Sequence, residues 1–335
     1  MNILVYDVAA SEGGALSILQ EYYSKCSKDQ SNHYYFVIST PMLENTNNIT
    51  VLRFPDIKKS WLHRIFFDIF KIRKIIKSYN IEQIISLQNI IVWHMTVPQI
   101  LYLHQPLPFV QYQFSLFENR TFWIYQHIIG KLIKHSVCHA TKVIVQTQWM
   151  KQVCIEQCHV VSKQIDVIAP SIDSSKLKYF VEFNLKRKTF FYPAGVQSYK
   201  NHMIILEACK MLQMKGVDNS FYEVLFTIEG NENSYTKKIY QYAVRNKLPI
   251  RFLGPIKREK VFDLYSKSIL LFPSYIETFG LPLLEAKLSR CLIVASDTVF
   301  SKEILSNYGN VFFCDPFDKI SWFQRIYQLI KQVTY

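Results

Sequence analysis

LLFPSYIETFGLPLLEAKLSRCLIVASD, residues 270–297, reads as strand, loop, helix and strand in direct succession. The apolar run Ile269–Phe272 is too short for a buried helix and has strand character; a second run, Leu292–Ala295, follows one short helix later. Pro282 marks the first turn of that helix, because its fixed φ suits the position and its missing N–H is not needed there. Gly280, just before it, permits close approach to the backbone. A strand, a helix and a strand so closely spaced form a βαβ crossover, and a parallel sheet follows from it.

The same alternation extends outward in both directions. Candidate strands are Ile3–Tyr6, Tyr35–Ile38, Gln83–Ser86, Ile100–Leu103, Val143–Gln146 and Ile165–Ile168 in one series. Phe190–Tyr192, Leu225–Glu229, Ile250–Phe252, Ile269–Phe272, Leu292–Ala295 and Val311–Phe313 form a second. The pattern starts twice, and between the two series DSSKLKYFVEFNLKRK (173–188) is polar and lacks a clear period. The expected organisation is α/β with two Rossmann-like domains, 1–172 and 189–320, joined by a linker at 173–188. A C-terminal helix in 321–335 is expected to pack toward the N-terminal domain. Ligands of such sheets sit outside the carboxyl ends of the strands, so functional residues belong in strand-to-helix loops.

Composition narrows the function classes. With 335 residues, 49% apolar and 19% charged, the chain is too hydrophobic for disorder and long enough for two cores. Lys plus Arg (39) against Asp plus Glu (26) gives a net charge of +13, which favours anionic partners: phosphates, nucleic acid or an acidic membrane surface. The basic residues are dispersed among apolar periods and no nucleic-acid-binding motif occurs, so nucleic acid is not expected as a partner. No G-x-G-x-x-G follows the first strand, which argues against a dinucleotide-dependent oxidoreductase. The seven cysteines contain no C-x-x-C, and Cys154 and Cys158 beside His159 read as buried reduced thiols of a cytosolic protein. MNILVYD lacks the flanks of a secretory signal, and no run approaches the ~20 apolar residues of a membrane span.

The loop of the opening stretch carries chemistry. Free N–H groups at the start of its helix form an anion site over Phe279, Gly280, Leu281 and Pro282. Glu285, about one turn further, can accept from two ribose hydroxyls, and Glu277, before the glycine, faces whatever lies beyond a diphosphate. On spacing alone, Glu285 is equally a favourable charge near a helix N-terminus and Glu277 a solvated loop residue.

The full string ETFGLPLLEA after FPS resembles the E-x7-E motif of retaining glycosyltransferase family 4, whose members have the GT-B fold of two Rossmann-like domains facing each other across a cleft. RFLGPIKREKVFDLYSKSILLFPS before it, and ASDTVFSKEIL and GNVFFCDPFD after it, are similar to the family's flanking segments. The resemblance covers Phe190 to Asp318 well and the N-terminal half more loosely. It implies that Glu277 contacts the donor sugar and Glu285 the ribose. In FYPAGVQSYKNH (191–202), Lys200 matches the lysine that binds the donor diphosphate. The family's arginine five residues earlier is replaced by Gly195, and Arg251 or Lys257 is expected to compensate. In ASEGGALSILQEY, Gly13 and Gly14 match the family's glycine loop; in ILYLHQPLPF, His104 matches a histidine near the donor sugar.

The implied reaction moves a sugar, with retention, from a nucleoside diphosphate of UDP or GDP type to a hydroxyl. The N-terminal domain then serves the acceptor and the C-terminal domain the nucleotide sugar. No cofactor and no metal are expected, since D-x-D is absent from the chain. A nucleotide-sugar epimerase of the same fold is the nearest enzymatic alternative. The acceptor is expected to be a saccharide or a polyprenyl-linked saccharide, as in bacterial capsule or O-antigen assembly. KKSWLHRIFFDIFKIRKIIK (58–77) supports this: Leu62, Ile65, Phe66, Ile69, Ile72 and Ile76 share one helical face, either packed on the sheet or laid on an anionic membrane. The expected location is the cytoplasm, peripheral to the inner face of the cell membrane.

Overall fold

The computed structural model describes residues 1–11, 13–172, 177–181 and 187–331. They form two compact units, Met1–Ala169 and Pro170–Tyr335. The first holds β1 (Asn2–Asp7), β2 (His33–Ile38), β3 (Ile49–Arg53), β4 (Gln83–Ser86), β5 (Gln99–Tyr102), β6 (Lys142–Val145) and β7 (Ile165–Val167). Their order is β3-β2-β1-β4-β5-β6-β7, and every neighbouring pair is parallel. The second holds β8 (Lys188–Tyr192), β9 (Tyr222–Phe226), β10 (Ile250–Phe252), β11 (Ile269–Phe272), β12 (Ile293–Ser296) and β13 (Val311–Cys314), in the order β10-β9-β8-β11-β12-β13, again all parallel.

The central strands β11 and β12 are buried at every position, which is why they read as unbroken apolar runs. Strand order reverses between β1 and β4 in one sheet and between β8 and β11 in the other. Outgoing loops diverge at such points and leave a crevice. In the second unit those loops are the two that carry Lys200 and Glu277.

All twelve expected strands are present, within a few residues at their ends. The unforeseen strand is β3, an edge strand whose residues are mostly half-buried, so that ITVLR lacks a contrast between apolar and polar positions. Part of the expected linker belongs to the second unit: Phe180 N–H donates to Ser289 O (2.7 Å) and Val181 N–H to Ser266 O (3.0 Å), and β8 already begins at Lys188. The remainder of it, 173–176 and 182–186, lies outside the described residues, as do 332–335. The C-terminal helix, Lys319–Lys331, packs on helix His202–Met214 and on β13 of its own unit. Its inward residues are Trp322, Ile326, Leu329 and Ile330, and the Trp322 indole N–H donates to Asp315 O at 2.9 Å.

The segment 58–77 departs from a single helical face. A 3-10 turn at Pro55–Lys59 precedes helix Trp61–Phe66, a π turn at Phe67–Lys71 and helix Ile72–Ser78. A π turn takes up an additional residue, so the apolar stripe shifts around the axis between its two ends. Ile72 and Ile76 pack into the core with Phe67, while Leu62, Ile65, Phe66 and Ile69, expected on the same face, are exposed together with Trp61 and Phe70.

Candidate active site

In the second unit the loop after β8 is tied to the loops after β11 and β13. Asn201 takes a left-handed conformation (φ 61°), and its amide donates to Pro273 O (3.3 Å) and Pro316 O (2.7 Å). The Tyr192 hydroxyl donates to Lys200 O (2.7 Å), and Tyr275 N–H donates to Tyr199 O (3.2 Å). These bonds bring together two residues 77 positions apart: Lys200 Nζ lies 2.5 Å from Glu277 Oε1, and their side chains are 18% and 15% exposed. Partial burial strengthens the pair while leaving Glu277 Oε2 and two ammonium hydrogens for a ligand. His202, next along, turns inward between Tyr192 and Phe226; burial, followed by the charge of Lys200, lowers its pKa to about 3 and keeps it neutral.

The helix of the motif spans Leu281–Leu288, with Pro282 in its first turn. Gly280 caps it at φ 83° and ψ 60°, a conformation that side chains rarely adopt, and an added Cβ would approach Leu283 Cδ1 to 3.2 Å. Phe279 is buried, so its contribution to an anion site is through backbone. Glu285 is only 3% exposed; its Oε1 accepts from the Arg258 guanidinium and its Oε2 from the Tyr265 hydroxyl (3.0 Å). Burial raises the pKa of Glu285, and the Arg258 charge and the two hydrogen bonds work against that rise.

Arg258 and Tyr265 lie on helix Arg258–Tyr265, before β11, and nothing in the sequence motif marks them. Arg251 and Lys257, the residues expected to compensate for the missing arginine, have other surroundings. Arg251, on β10, is paired with Glu223 of β9 (3.3 Å), and Lys257 caps the helix that Arg258 begins. At Gly195 itself an added Cβ would meet nothing closer than 3.7 Å except the terminal oxygen of the flexible Gln197 side chain (2.8 Å), so no backbone excludes a side chain there.

In the first unit, His104 follows β5. Its backbone N–H donates to Asn89 Oδ1 (2.7 Å), and Nε2 lies 2.9 Å from Leu87 O. The Asn89 amide nitrogen lies 3.2 Å from the same Nε2, so the ring is held by Leu87 and Asn89 together. Burial lowers the pKa of this ring and favours its neutral form. Gly13 and Gly14 open helix Gly13–Lys28, and a Cβ on Gly14 would meet nothing within 4 Å.

Asp7, at the end of β1, is 1% exposed; Oδ1 accepts from Ala10 N–H (3.0 Å), while Oδ2 has no hydrogen-bond partner among the described residues. Burial raises its pKa from 3.8 to about 7, against the Ala10 and Ala9 amides and the charges of Arg64 and Lys58. The folded chain therefore holds a proton between these values that the unfolded chain has released. Stability falls as pH rises through that window, by an amount on the order of a few kcal/mol. Asp7→Asn, a mimic of the protonated form, is expected to raise Tm at pH 8 and to leave it nearly unchanged at pH 4. Equal effects at both pH values in thermal unfolding contradict this account.

Two parallel α/β sheets, each with a switch point, a strand-loop-helix unit bearing Glu277 and Glu285, and Lys200 on the loop after β8 define a GT-B type of protein. Solved structures of that fold are similar over nearly the whole chain. Sucrose-phosphate synthase from Thermosynechococcus elongatus has a TM-score of 0.74 at 15% identity, covering 99% of this chain and 90% of that one. HepE of Anabaena in complex with UDP-glucose has a TM-score of 0.70 at 16% identity, covering 100% and 91%. The lipopolysaccharide outer core galactosyltransferase WaaB, in apo form, has a TM-score of 0.67 at 13% identity, covering 99% and 91%.

Residues 173–333 match the model of the family glycosyl transferases group 1. A curated relative, the O-antigen chain mannosyltransferase RfbU of Salmonella typhimurium, is 26% identical over 229 residues. The match covers 65% of this chain and spans 61% of the length of that relative.

Proposed function

We propose that the chain transfers a sugar, with retention at the anomeric carbon, from a UDP- or GDP-type sugar to a hydroxyl of a saccharide or polyprenyl-linked acceptor. The observation that carries this is the pairing of Lys200 with Glu277 one loop before a helix N-terminus that leads to Glu285. In this reading Lys200 and the N–H groups of Gly280 and Leu281 take the diphosphate, Glu277 a donor-sugar hydroxyl and Glu285 the ribose. The bond from the anomeric carbon to the leaving phosphate oxygen breaks, the bond to the acceptor oxygen forms on the same face, and a leaving-phosphate oxygen takes the acceptor proton. No protein nucleophile and no metal enter. A match to the group 1 family model, an O-antigen mannosyltransferase relative and a structural neighbour bound to UDP-glucose support the reading. They also favour it over epimerisation.

A thermal-shift panel of UDP-, GDP-, ADP- and TDP-sugars tests it, because a ligand that binds the native state alone raises Tm. UDP- or GDP-sugars are expected to raise Tm, and turnover to survive EDTA. Turnover lost in EDTA and restored by Mg²⁺ or Mn²⁺ contradicts the metal-free site; interconversion of nucleotide sugars without transfer favours the epimerase.

The proposed setting is bacterial surface-polysaccharide assembly, in the cytoplasm and peripheral on the inner face of the cell membrane. Among the described residues no helix is long and apolar enough to cross a membrane. Trp61, Leu62, Ile65, Phe66, Ile69 and Phe70 are instead 41–77% exposed on one short helical stretch, within a chain of net charge +13. An anionic bilayer complements both properties. Binding to vesicles of phosphatidylglycerol is expected to weaken as salt is raised, and to weaken further in the double variant Trp61→Ser and Phe70→Ser. Equal sedimentation with neutral phosphatidylcholine vesicles removes the electrostatic part of this account.

A further inference from the structure

We infer that Arg258 is the positioning residue that holds Glu285 as an oriented anion for a ribose diol, and that the donor is thereby restricted to ribonucleoside diphosphates. The inference rests on the function reading above, in which Glu285 takes the ribose. A 2′,3′-diol presents two hydroxyl donors, and a carboxylate can accept from both only while both oxygens keep free lone pairs. A protonated carboxyl gives up part of that acceptor capacity. Glu285 is only 3% exposed, and such burial favours the protonated form.

Two side chains oppose that outcome, and both come from helix Arg258–Tyr265. Arg258 Nη2 donates to Oε1 and the Tyr265 hydroxyl to Oε2, so each oxygen is fixed by one donor and retains acceptor capacity. They stand seven positions apart, two helical turns, and so share a face. The Arg258 side chain is 47% exposed and that of Glu285 only 4%, so the guanidinium reaches the carboxylate from the surface. Its Cζ lies over the Phe262 ring, 5.5 Å from the ring centre. Neighbouring charges are engaged elsewhere: the Lys287 ammonium donates to Ile304 O and Ser306 O, and Asp263 pairs with Lys178. Cys291 reaches Tyr265 through its carbonyl, at 2.6 Å. The groups whose charge or hydrogen bonds act on Glu285 are Arg258 and Tyr265.

The experiment is calorimetric titration of UDP and GDP, each against its 2′-deoxy counterpart, from about pH 5.5 to 8. The ribo-to-deoxy affinity ratio at each pH is the readout, because titration of the phosphates cancels in it. The unmodified chain is expected to prefer the ribonucleotide by roughly tenfold or more across the range. In Arg258→Gln the ratio is expected to stay substantial at pH 8 and to fall roughly tenfold by pH 5.5, as Glu285 without its cation takes up a proton. Arg258→Lys restores the charge and most of the ratio at low pH. Tyr265→Phe keeps the ion pair and shifts the profile in the same direction by less, and it carries the test should Arg258→Gln fail to fold. A ratio in Arg258→Gln that follows the unmodified profile at every pH overturns the role of Arg258 alone. No binding of either ribonucleotide to the unmodified chain overturns the function reading, and the inference with it.

Discussion

Lys200→Ala is expected to lower kcat by a few orders of magnitude, about 3–4 kcal/mol in transition-state stabilisation, while donor affinity falls less. Negative charge builds on the diphosphate as the anomeric bond breaks, so a fixed ammonium stabilises the transition state more than the ground state. The geometry adds a second route to damage. Lys200 Nζ is 2.5 Å from Glu277, and its removal leaves that carboxylate 15% exposed and without its ion pair. A double-mutant cycle separates the two routes. If Lys200 only held Glu277 in place, Lys200→Ala would add nothing to Glu277→Ala. If it acts on the leaving group, the double variant is slower than Glu277→Ala by a large factor. Lys200→Arg is expected to recover only part of the rate, because a planar guanidinium does not reproduce a compact ammonium at that spacing. Near-normal kcat in folded Lys200→Ala assigns leaving-group stabilisation to another residue.

The parts of the fold that were legible in the residues share one physical cause. Central strands of parallel sheets are covered on both faces, so IVAS and ILLF appear as dense apolar runs whatever surrounds them. The edge strand β3 has no such enforced burial and left no signal. Register inside 58–77 was hidden for another reason. A π turn is a backbone event with no residue signature of its own, and it separated Leu62, Ile65, Phe66 and Ile69 from Ile72 and Ile76. In the candidate site, Glu277, Gly280, Pro282 and Glu285 were legible because one strand-loop-helix unit carries them all. Lys200 was legible only through the family resemblance. Arg258 was not, since its meaning arises when a helix 27 positions upstream lays a guanidinium on Glu285. Local pattern does not encode such a contact. Nor does it encode the placement of His104, whose ring is held by Leu87 and Asn89.

Glu285→Ala and Glu277→Ala are expected to damage different steps, and the difference follows from what surrounds each carboxylate. Glu285 is almost wholly enclosed, held by Arg258 and Tyr265. Its loss removes a charged acceptor for the ribose, so affinity is expected to fall by roughly 1–3 kcal/mol for the free nucleoside diphosphate and the intact donor alike. The same substitution leaves the Tyr265 hydroxyl buried without its partner, so Tm is expected to fall as well. Glu277 stands before Gly280, beside Lys200, on the side assigned to the sugar. Its loss is expected to change affinity for the free nucleotide little and to weaken the intact donor, because only the intact donor presents the group that Glu277 contacts. Freeing Lys200 from its ion pair even favours a bare diphosphate, so Glu277→Ala is expected to bind the nucleotide as well as the unmodified chain does or slightly better. Calorimetry with both ligands on both variants reads all four values. Similar losses of nucleotide affinity in the two variants contradict the assignment, because a carboxylate directed at the sugar has no means of weakening a ligand that lacks one.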